Sequence, residues 1–258
     1  MKQLWLFLGH KWRWLAIASG YLVFGLFGIV LKVVLLPFTG GMLDQNRLAN
    51  QKRARSIIQF LWRQLLRYVR LMGGFGYRFP HQNRLGRPGQ LIIANHPSLL
   101  DVVFMLAHAR QSNCIVKQSL LNNPFLNSAI RACGFIPNDG TPEVIDRAVA
   151  ALKGGQSVLI FPEGTRTGPD NLIRFHRGAC AIALRGAAVI TPVIIRMHPR
   201  CFQRGQSWYN IPHEKVNYEF IIGDDIDPAP WLSGKHMPAA TRQLNAYLQT
   251  YFERELQK

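Results

Sequence analysis

The chain has 258 residues, of which 48% are hydrophobic. This composition suits one sizeable folded domain with an appendage and excludes a disordered or fibrous protein. With 31 lysines and arginines against 14 acidic residues, the formal charge is +17, which favours anionic partners such as phosphorylated substrates, acidic lipid head groups or nucleic acid. The four cysteines form no C-x-x-C pair, which disfavours a zinc site or a disulfide framework and favours a reducing, cytoplasmic-side location.

The N-terminal segment contains a long apolar stretch. No charged residue occurs from 14 to 31, a length that suits a helix inserted in a membrane. A cleaved signal peptide is the main competitor, but no A-x-A-like cleavage site follows the stretch. Because basic residues flank both of its ends, the positive-inside rule assigns no orientation. A single-pass helix and an in-plane or re-entrant helix with both ends in the cytoplasm therefore both stay open.

A second helix is predicted at about residues 52–72. Arg63, Arg67 and Arg70 recur at the helical period and form one basic stripe, while apolar residues cover much of the remaining surface. Two interpretations fit this pattern equally well. The helix is either the second leg of a hairpin seated in anionic lipid, or a core helix with a solvated edge.

The rest of the chain alternates short apolar strands with helices. This pattern predicts an α/β domain at 77–258, with a mainly parallel or mixed sheet and flanking helices, preceded by a membrane-associated two-helix hairpin at 1–76. A glycine-rich stretch marks the boundary between the two. The predicted strands are 91–94, 114–116, 134–137, 157–161, 189–195 and 216–222. The predicted helices are 101–109, 120–133 despite Pro124, 141–153, 178–185 and one from about 239.

The strand at 91–94 places a histidine and an aspartate in polar surroundings. His96 follows the C-terminal end of the strand, the edge where ligands bind in open α/β sheets. If Ser98 caps the next helix, Asp101 lies one turn in and its carboxylate can face the imidazole. Such a pair is a general base held in one tautomer. The plainer interpretation is an S-x-x-D capping box beside an ordinary loop histidine, since short motifs often match by chance.

The strand at 157–161 ends in a second candidate loop, P-E-G-T-R at 162–166. Glycine lets backbone N–H groups approach an oxyanion or phosphate, and arginine can bind two of its oxygens at once. Arg174 and Arg177 add positive charge downstream. Alone, such a loop is usually an ordinary turn. Two strands that deliver a base and an anion cradle to the same sheet edge make a stronger case than either does.

Together these residues resemble the glycerolipid acyltransferase family, which includes the 1-acylglycerol-3-phosphate acyltransferases. The family signature N-H-x-x-x-x-D stands at 95–101 and F-P-E-G-T-R at 161–166, and the resemblance extends over about 91–195. It implies that His96 deprotonates an acceptor hydroxyl, that Asp101 orients the ring, and that the hydroxyl attacks an acyl thioester directly.

The resemblance also implies where the substrates bind. No metal or cofactor is expected, and the acyl group arrives on acyl carrier protein or coenzyme A. Membrane lipids are the expected partners and nucleic acid is not, because the basic residues form no recognisable recognition module. The expected location is the cytoplasmic face of the inner membrane. The expected substrate-binding residues are Lys117, Glu163, Gly164, Thr165, Arg166 and Arg177.

One departure from the family concerns the acceptor. Where the family commonly has G-x-I-F-I-D-R, with the arginine helping to bind the acceptor phosphate, this chain reads G-F-I-P-N-D-G and has Gly140 in place of the arginine. His176 also stands where a lysine or arginine is usual. We therefore expect fatty acyl transfer to the hydroxyl of a lysophospholipid, with 1-acylglycerol 3-phosphate giving phosphatidic acid as the first choice. The alternatives are the same chemistry on a specialised lipid without the glycerol phosphate, and a basic membrane-binding module without turnover.

Overall fold

A computed structural model describes residues 2–34 and 47–258. The helices are α1 (Lys2–Val34), α2 (Arg47–Leu71), α3 (Asp101–His108), α4 (Asn127–Cys133), α5 (Glu143–Lys153), α6 (Gly178–Gly186), α7 (Ala229–Leu232) and α8 (Met237–Gln257). The strands are β1 (Phe75–Arg78), β2 (Gln90–Ala94), β3 (Asn113–Lys117), β4 (Ile136–Asn138), β5 (Val158–Ile160), β6 (Val189–His198) and β7 (Val216–Ile222). Short 3-10 helices occupy Gln82–Arg84 and Gln118–Asn122.

The strands form one seven-stranded sheet in the order β1-β7-β6-β2-β5-β3-β4. Strands β2 to β6 are parallel to one another, whereas β7 runs antiparallel to β6 and β1 is parallel to β7. The prediction of an α/β fold with a mixed sheet and flanking helices is confirmed. Because Ile93 pairs with Ile160, the loops that follow β2 and β5 leave the sheet side by side. These are the two loops that carry the predicted site.

Two hydrophobic clusters cover the two faces of the sheet. Alternate residues of β2 point to opposite faces, as the period of a strand requires, so Ile92 belongs to one cluster and Leu91 to the other. Buried side chains of α2, α3 and α4 complete the first cluster, and those of α5, α6 and α8 complete the second. The loops after β2 and β5 therefore lie at one end of a three-layered core.

Helix α2 is built into the first of these clusters. Its buried apolar side chains include Ile58, Trp62 and Leu65, and the guanidinium of the buried Arg55 donates to the Cys133 carbonyl at 2.8 Å. Of the two interpretations of the basic stripe, the core helix with a solvated edge describes this packing. The division of the chain at residue 76 stays a prediction, and the connection at 35–46 lies outside the described residues.

Helix α1 lies along α2. The Trp12 indole donates to the Met72 carbonyl at 2.8 Å, and Phe24 stacks on Trp62 with ring centroids 5.1 Å apart. The contact is close, because a Cβ on Gly20 would lie 2.7 Å from a methyl carbon of Val69 in α2. Within the described ranges, the segment Leu8–Val33 is the one helix long and apolar enough to cross a membrane, with a mean hydropathy of 2.1.

Two local predictions were wrong, and one strand was not predicted. The helix predicted at 120–133 is a 3-10 turn followed by α4, because Pro124 has no N–H to donate and disfavours helical geometry in the residue before it. The strand that was not predicted is β1, which lies within the glycine-rich stretch and pairs with β7 from Phe75 onwards. Helix α3 begins at Asp101 with Leu100, and not Ser98, at its N-cap.

Candidate active site

The turn after β2 is fixed to β6 by Asn95. Its side-chain amide donates to the Ile195 carbonyl at 2.9 Å, and its carbonyl oxygen accepts the Ile195 N–H at 2.7 Å. The buried side chain thus continues the pairing of β2 with β6 beyond the last strand residue. The asparagine therefore sets the position at which His96 leaves the sheet.

His96 and Asp101 form a hydrogen-bonded pair. His96 Nδ1 lies 2.8 Å from Asp101 Oδ2, and the side chain of Asp101 is fully buried while that of His96 is 14% exposed. The imidazole also stacks on Phe161, with ring centroids 4.4 Å apart. Because the carboxylate binds Nδ1, Nε2 is the ring nitrogen left to take a proton from a substrate.

The same carboxylate also holds the turn together. The Ser98 N–H donates to Asp101 Oδ2 at 2.6 Å, and the Ser98 hydroxyl donates to Oδ1 at 2.7 Å. With His96, three donors converge on one buried carboxylate. The Ser98–Asp101 hydrogen bonds and the His–Asp pair, posed as alternatives from the sequence, are thus present together, although Ser98 is not the N-cap of α3.

Tyr218 joins this network from β7. Its hydroxyl donates to Ser98 Oγ at 3.2 Å, and Ser98 Oγ also accepts the Leu100 N–H at 3.2 Å. Burial, and then the charge of Asp101, raise the pKa of Tyr218 well above its usual value, so it remains a donor. No local sequence signal marks Tyr218, because its contact crosses 120 residues.

The loop after β5 supports the backbone of His96. The His96 N–H donates to Glu163 Oε1 at 2.7 Å, the Thr167 hydroxyl donates to Glu163 Oε2 at 2.8 Å, and the Thr167 N–H donates to the His96 carbonyl at 2.8 Å. Gly164 completes the turn at a φ of 65°, in the left-handed region that favours glycine. Burial raises the pKa of Glu163, although the hydrogen bonds from His96 and Thr167 act in the opposite direction.

The predicted cationic residues differ in their surroundings. Arg166 is partly buried, and its Nη1 donates to the carbonyls of Phe202 at 2.8 Å and Gln203 at 3.1 Å. Lys117 at the end of β3 and Arg177 before α6 are exposed, as is Thr165. Within the described part of the chain, neither Lys117 nor Arg177 forms a hydrogen bond or ion pair with the His–Asp pair. The structure thus joins His96, Asp101 and Glu163 by hydrogen bonds, whereas Arg166 bonds to the carbonyls of Phe202 and Gln203.

The neighbourhood of Gly140 contains an arginine that the sequence analysis did not select. Arg147 of α5 donates to the Pro137 carbonyl at 3.0 Å and to Asp139 Oδ2 at 3.2 Å. Hydrogen bonds from Thr141, with a further contribution from Arg147, lower the pKa of Asp139 to about 2. The cation at the end of β4 is therefore already paired with a carboxylate.

An apolar cavity of about 350 Å³ lies between α1, α2, α3 and α4. Leu99 and Leu100, which stand between Ser98 and Asp101 in the chain, belong to its wall. Trp62, Val103 and Ala129 contribute to the wall further along the helices. The cavity therefore reaches the turn that carries the His–Asp pair.

Known proteins share this sequence pattern and fold. The family model described as Acyltransferase matches residues 78–196. The chain is 32% identical over 137 residues to the 1-acyl-sn-glycerol-3-phosphate acyltransferase of Saccharomyces cerevisiae, covering 49% of this chain and 45% of that protein, so the match spans less than half of the relative's length. It is 27% identical over 199 residues to the 1-acyl-sn-glycerol-3-phosphate acyltransferase of Pseudomonas aeruginosa, covering 75% of this chain and 74% of the other.

A solved structure extends the likeness to the whole chain. The crystal structure of the 1-acyl-sn-glycerophosphate (LPA) acyltransferase PlsC from Thermotoga maritima matches with a TM-score of 0.68, covering 100% of this chain and 97% of the other at 20% identity. That likeness shows a common fold. Residues 78–196 therefore form an acyltransferase domain.

Proposed function

We propose that this protein transfers a fatty acyl chain from a thioester of coenzyme A or acyl carrier protein to the free hydroxyl of a lysophospholipid. The proposed acceptor is 1-acylglycerol 3-phosphate and the product phosphatidic acid, the activity for which the yeast and Pseudomonas relatives are named. The observation that carries the proposal is the 2.8 Å contact between His96 and the buried Asp101 at the C-terminal edge of the sheet.

The proposed reaction needs one base. His96 Nε2 takes the proton of the acceptor hydroxyl while the oxygen attacks the thioester carbonyl, and Asp101 stabilises the imidazolium that forms. The C–S bond then breaks, the imidazolium returns its proton to the departing thiolate, and the products are the ester and a free thiol. Glu163 holds the backbone of His96 in place throughout, because it accepts that residue's N–H.

We assign the apolar cavity to an acyl chain. Its volume of about 350 Å³ lies within the usual range of ligand pockets, roughly 300–1,000 Å³. Ala129 lies in its wall, so we expect Ala129→Leu to shift the preference towards shorter chains, by roughly tenfold or more for each methylene that no longer fits. Ala181→Leu, on α6 and outside this wall, is the matched control. Competition assays with mixed chain lengths measure the shift, and an unchanged preference would remove the assignment.

We propose further that α1 lies in the plane of the cytoplasmic leaflet. It contacts the domain from His10, whose ring packs on His213, to Gly28, which packs on Phe125. At about 1.5 Å per residue this docked length is about 27 Å, close to the roughly 30 Å thickness of the hydrocarbon core. A helix that crossed the bilayer would carry the charged domain into the hydrocarbon with it, whereas an in-plane helix presents its apolar face to lipid and keeps the domain in water.

A lipid alcohol without the glycerol phosphate is the second candidate acceptor. Gly140 supplies no cation, and the nearby Arg147 is engaged by Asp139. Lysophosphatidate is a good substrate if Lys117, Arg166 or Arg177 binds its phosphate in place of a cation at position 140. Parallel assays with lysophosphatidate and with phosphate-free lipid alcohols separate the two acceptors. If Arg177→Gln and Lys117→Gln raise the KM for lysophosphatidate and not for phosphate-free acceptors, the first acceptor is supported.

The central test uses the full-length protein in vesicles, with acyl coenzyme A and acyl carrier protein offered separately and products identified by mass spectrometry. His96→Ala should lower the rate by about 10²–10⁴. His236→Ala, at the exposed start of α8, should leave the rate unchanged. A folded His96→Ala protein with wild-type turnover would end the proposed mechanism. Absence of acylation by the wild type with every donor and acceptor would favour the non-catalytic membrane-binding module.

A further inference from the structure

Two exposed aromatic side chains lie in the segment 199–215 between β6 and β7, here called the Trp208 loop. Trp208 is 41% exposed and Tyr209 is 57% exposed. The loop lies against α1, since the centroid of the Trp208 ring is 6.1 Å from that of Trp14 and 5.2 Å from that of Tyr21. Its aromatic rings are therefore continuous with the surface of the apolar helix.

The Trp208 loop connects α1 to the catalytic turn. At its outer end, the Arg13 guanidinium donates to the His213 carbonyl. At its inner end, the Phe202 carbonyl accepts the Leu99 N–H at 3.2 Å and the Arg166 guanidinium at 2.8 Å. Any partner that fixes the position of this loop thus also fixes the position of the turn between His96 and Asp101.

The composition of this surface is that of a membrane interface. Trp14 on α1, which contacts Trp208, is 36% exposed, and Leu22 on the same helix is 67% exposed. Arg204 and Lys215, at either side of the aromatic pair, are exposed and basic. Tryptophan and tyrosine favour the head-group layer because their rings are apolar and their N–H and O–H groups remain hydrated, and basic side chains beside them attract anionic lipid.

We propose that the Trp208 loop is a second membrane anchor, with Trp208 and Tyr209 seated in the head-group layer of an anionic bilayer. This inference rests on the proposed in-plane position of α1 and adds a contact made by a segment outside the matched residues 78–196. The anchor holds the catalytic turn at the depth where a lysophospholipid presents its hydroxyl. Its partner is the lipid surface itself.

Because the four native cysteines are inaccessible, site-specific fluorescent labelling can test the proposal. All are buried, with exposures of 0% or 1%, so an introduced surface cysteine can be labelled selectively. Tyr209→Cys receives an environment-sensitive fluorophore in the full-length protein, bound to vesicles of phosphatidylethanolamine and phosphatidylglycerol. Leu22→Cys reports the position of α1. Tyr247→Cys on α8, at a site 43% exposed in the wild type, is the matched control. Ser207→Cys, which keeps both aromatic rings, is the second probe of the loop.

The expected result is a blue shift, and quenching by lipids spin-labelled near the head group, for labels at 209 and 207 as well as 22, with no response at 247. A response at 22 alone overturns the anchor while the membrane position of α1 stands. No response at any position overturns both. A response at 209 to added acyl carrier protein without vesicles would assign the loop to the donor carrier and overturn the lipid proposal.

Discussion

The two segments that leave the sheet side by side each provide a buried carboxylate, but the carboxylates act on different parts of His96. Asp101, 0% exposed, binds the imidazole, and Glu163, 6% exposed, binds the backbone N–H. Asp101 thus fixes the tautomer of the imidazole, whereas Glu163 fixes the position of the His96 backbone. The two acids therefore differ in role, since one accepts from the imidazole and the other from the backbone N–H.

Asp101→Asn, which alters the carboxylate that binds the ring, should have the largest effect on the rate. The amide cannot replace the charge that stabilises an imidazolium, and one of the donors from Ser98 would face an NH₂ group. We expect the rate to fall by about 10²–10⁴, measured as kcat under saturating acceptor. Asp227→Asn is the control, since Asp227 accepts the Ala229 N–H at 2.9 Å and has only a capping role. If Asp101 acted only as a cap, its asparagine variant would lose about 1 kcal/mol of stability and keep most of its activity.

Tyr218→Phe tests whether the hydrogen bonds around Asp101 extend through Ser98 to β7. It removes the hydroxyl that donates to Ser98 and keeps the buried ring, so the loss should correspond to one hydrogen bond, about 0.5–1.5 kcal/mol or roughly two- to tenfold in kcat. In a Ser98→Ala background the same substitution should have no further effect. Tyr77→Phe, in the same cluster on β1, is the control. Equal losses in both backgrounds would show that Tyr218 acts through packing and not through Ser98.

Glu163→Gln should have the smallest effect on rate, because its carbonyl oxygen can still accept the His96 N–H and the Thr167 hydroxyl can rotate to accept from the new NH₂.

Glu163→Gln should also change how the free energy of unfolding depends on pH. Burial raises the folded-state pKa of Glu163 above the ordinary value near 4.5, so the fold binds this proton more tightly than the unfolded chain does.

The contribution of Glu163 to stability is therefore fully present below about pH 4.5 and is lost as the pH rises through the raised pKa of the folded state. The free energy of unfolding of Glu163→Gln should lack this decline, so the variant gains on the wild type as the pH increases across that window. Denaturant unfolding at a series of pH values measures the difference. A variant that lost stability relative to the wild type with rising pH would reverse the assigned direction.

The contacts that sequence reasoning reached are the local ones. The pairing of His96 with Asp101 spans one turn, and the apolar runs of the sheet are readable from composition alone. The contact from Glu163 to His96 crosses 67 residues and that from Asn95 to Ile195 crosses 100, so both depend on the order of strands in the sheet, which no short pattern encodes. Strand β1 was missed for the same reason, since it pairs with β7 through a glycine-rich segment.

The hydrogen bonds between Asn95 and Ile195 determine when, during synthesis, the turn that carries His96 can form. Strand β2 must wait for β6 before the turn bearing His96 is held, and the Tyr218 hydroxyl arrives later still, with β7. Contacts of this sequence separation form late, because a long loop must close before they stabilise the chain. Helix α1, by contrast, precedes the whole sheet in the chain and therefore emerges from the ribosome before it. On the proposed roles of α1 and His96, the nascent chain presents its membrane-binding helix well before the turn that carries the base is held in place.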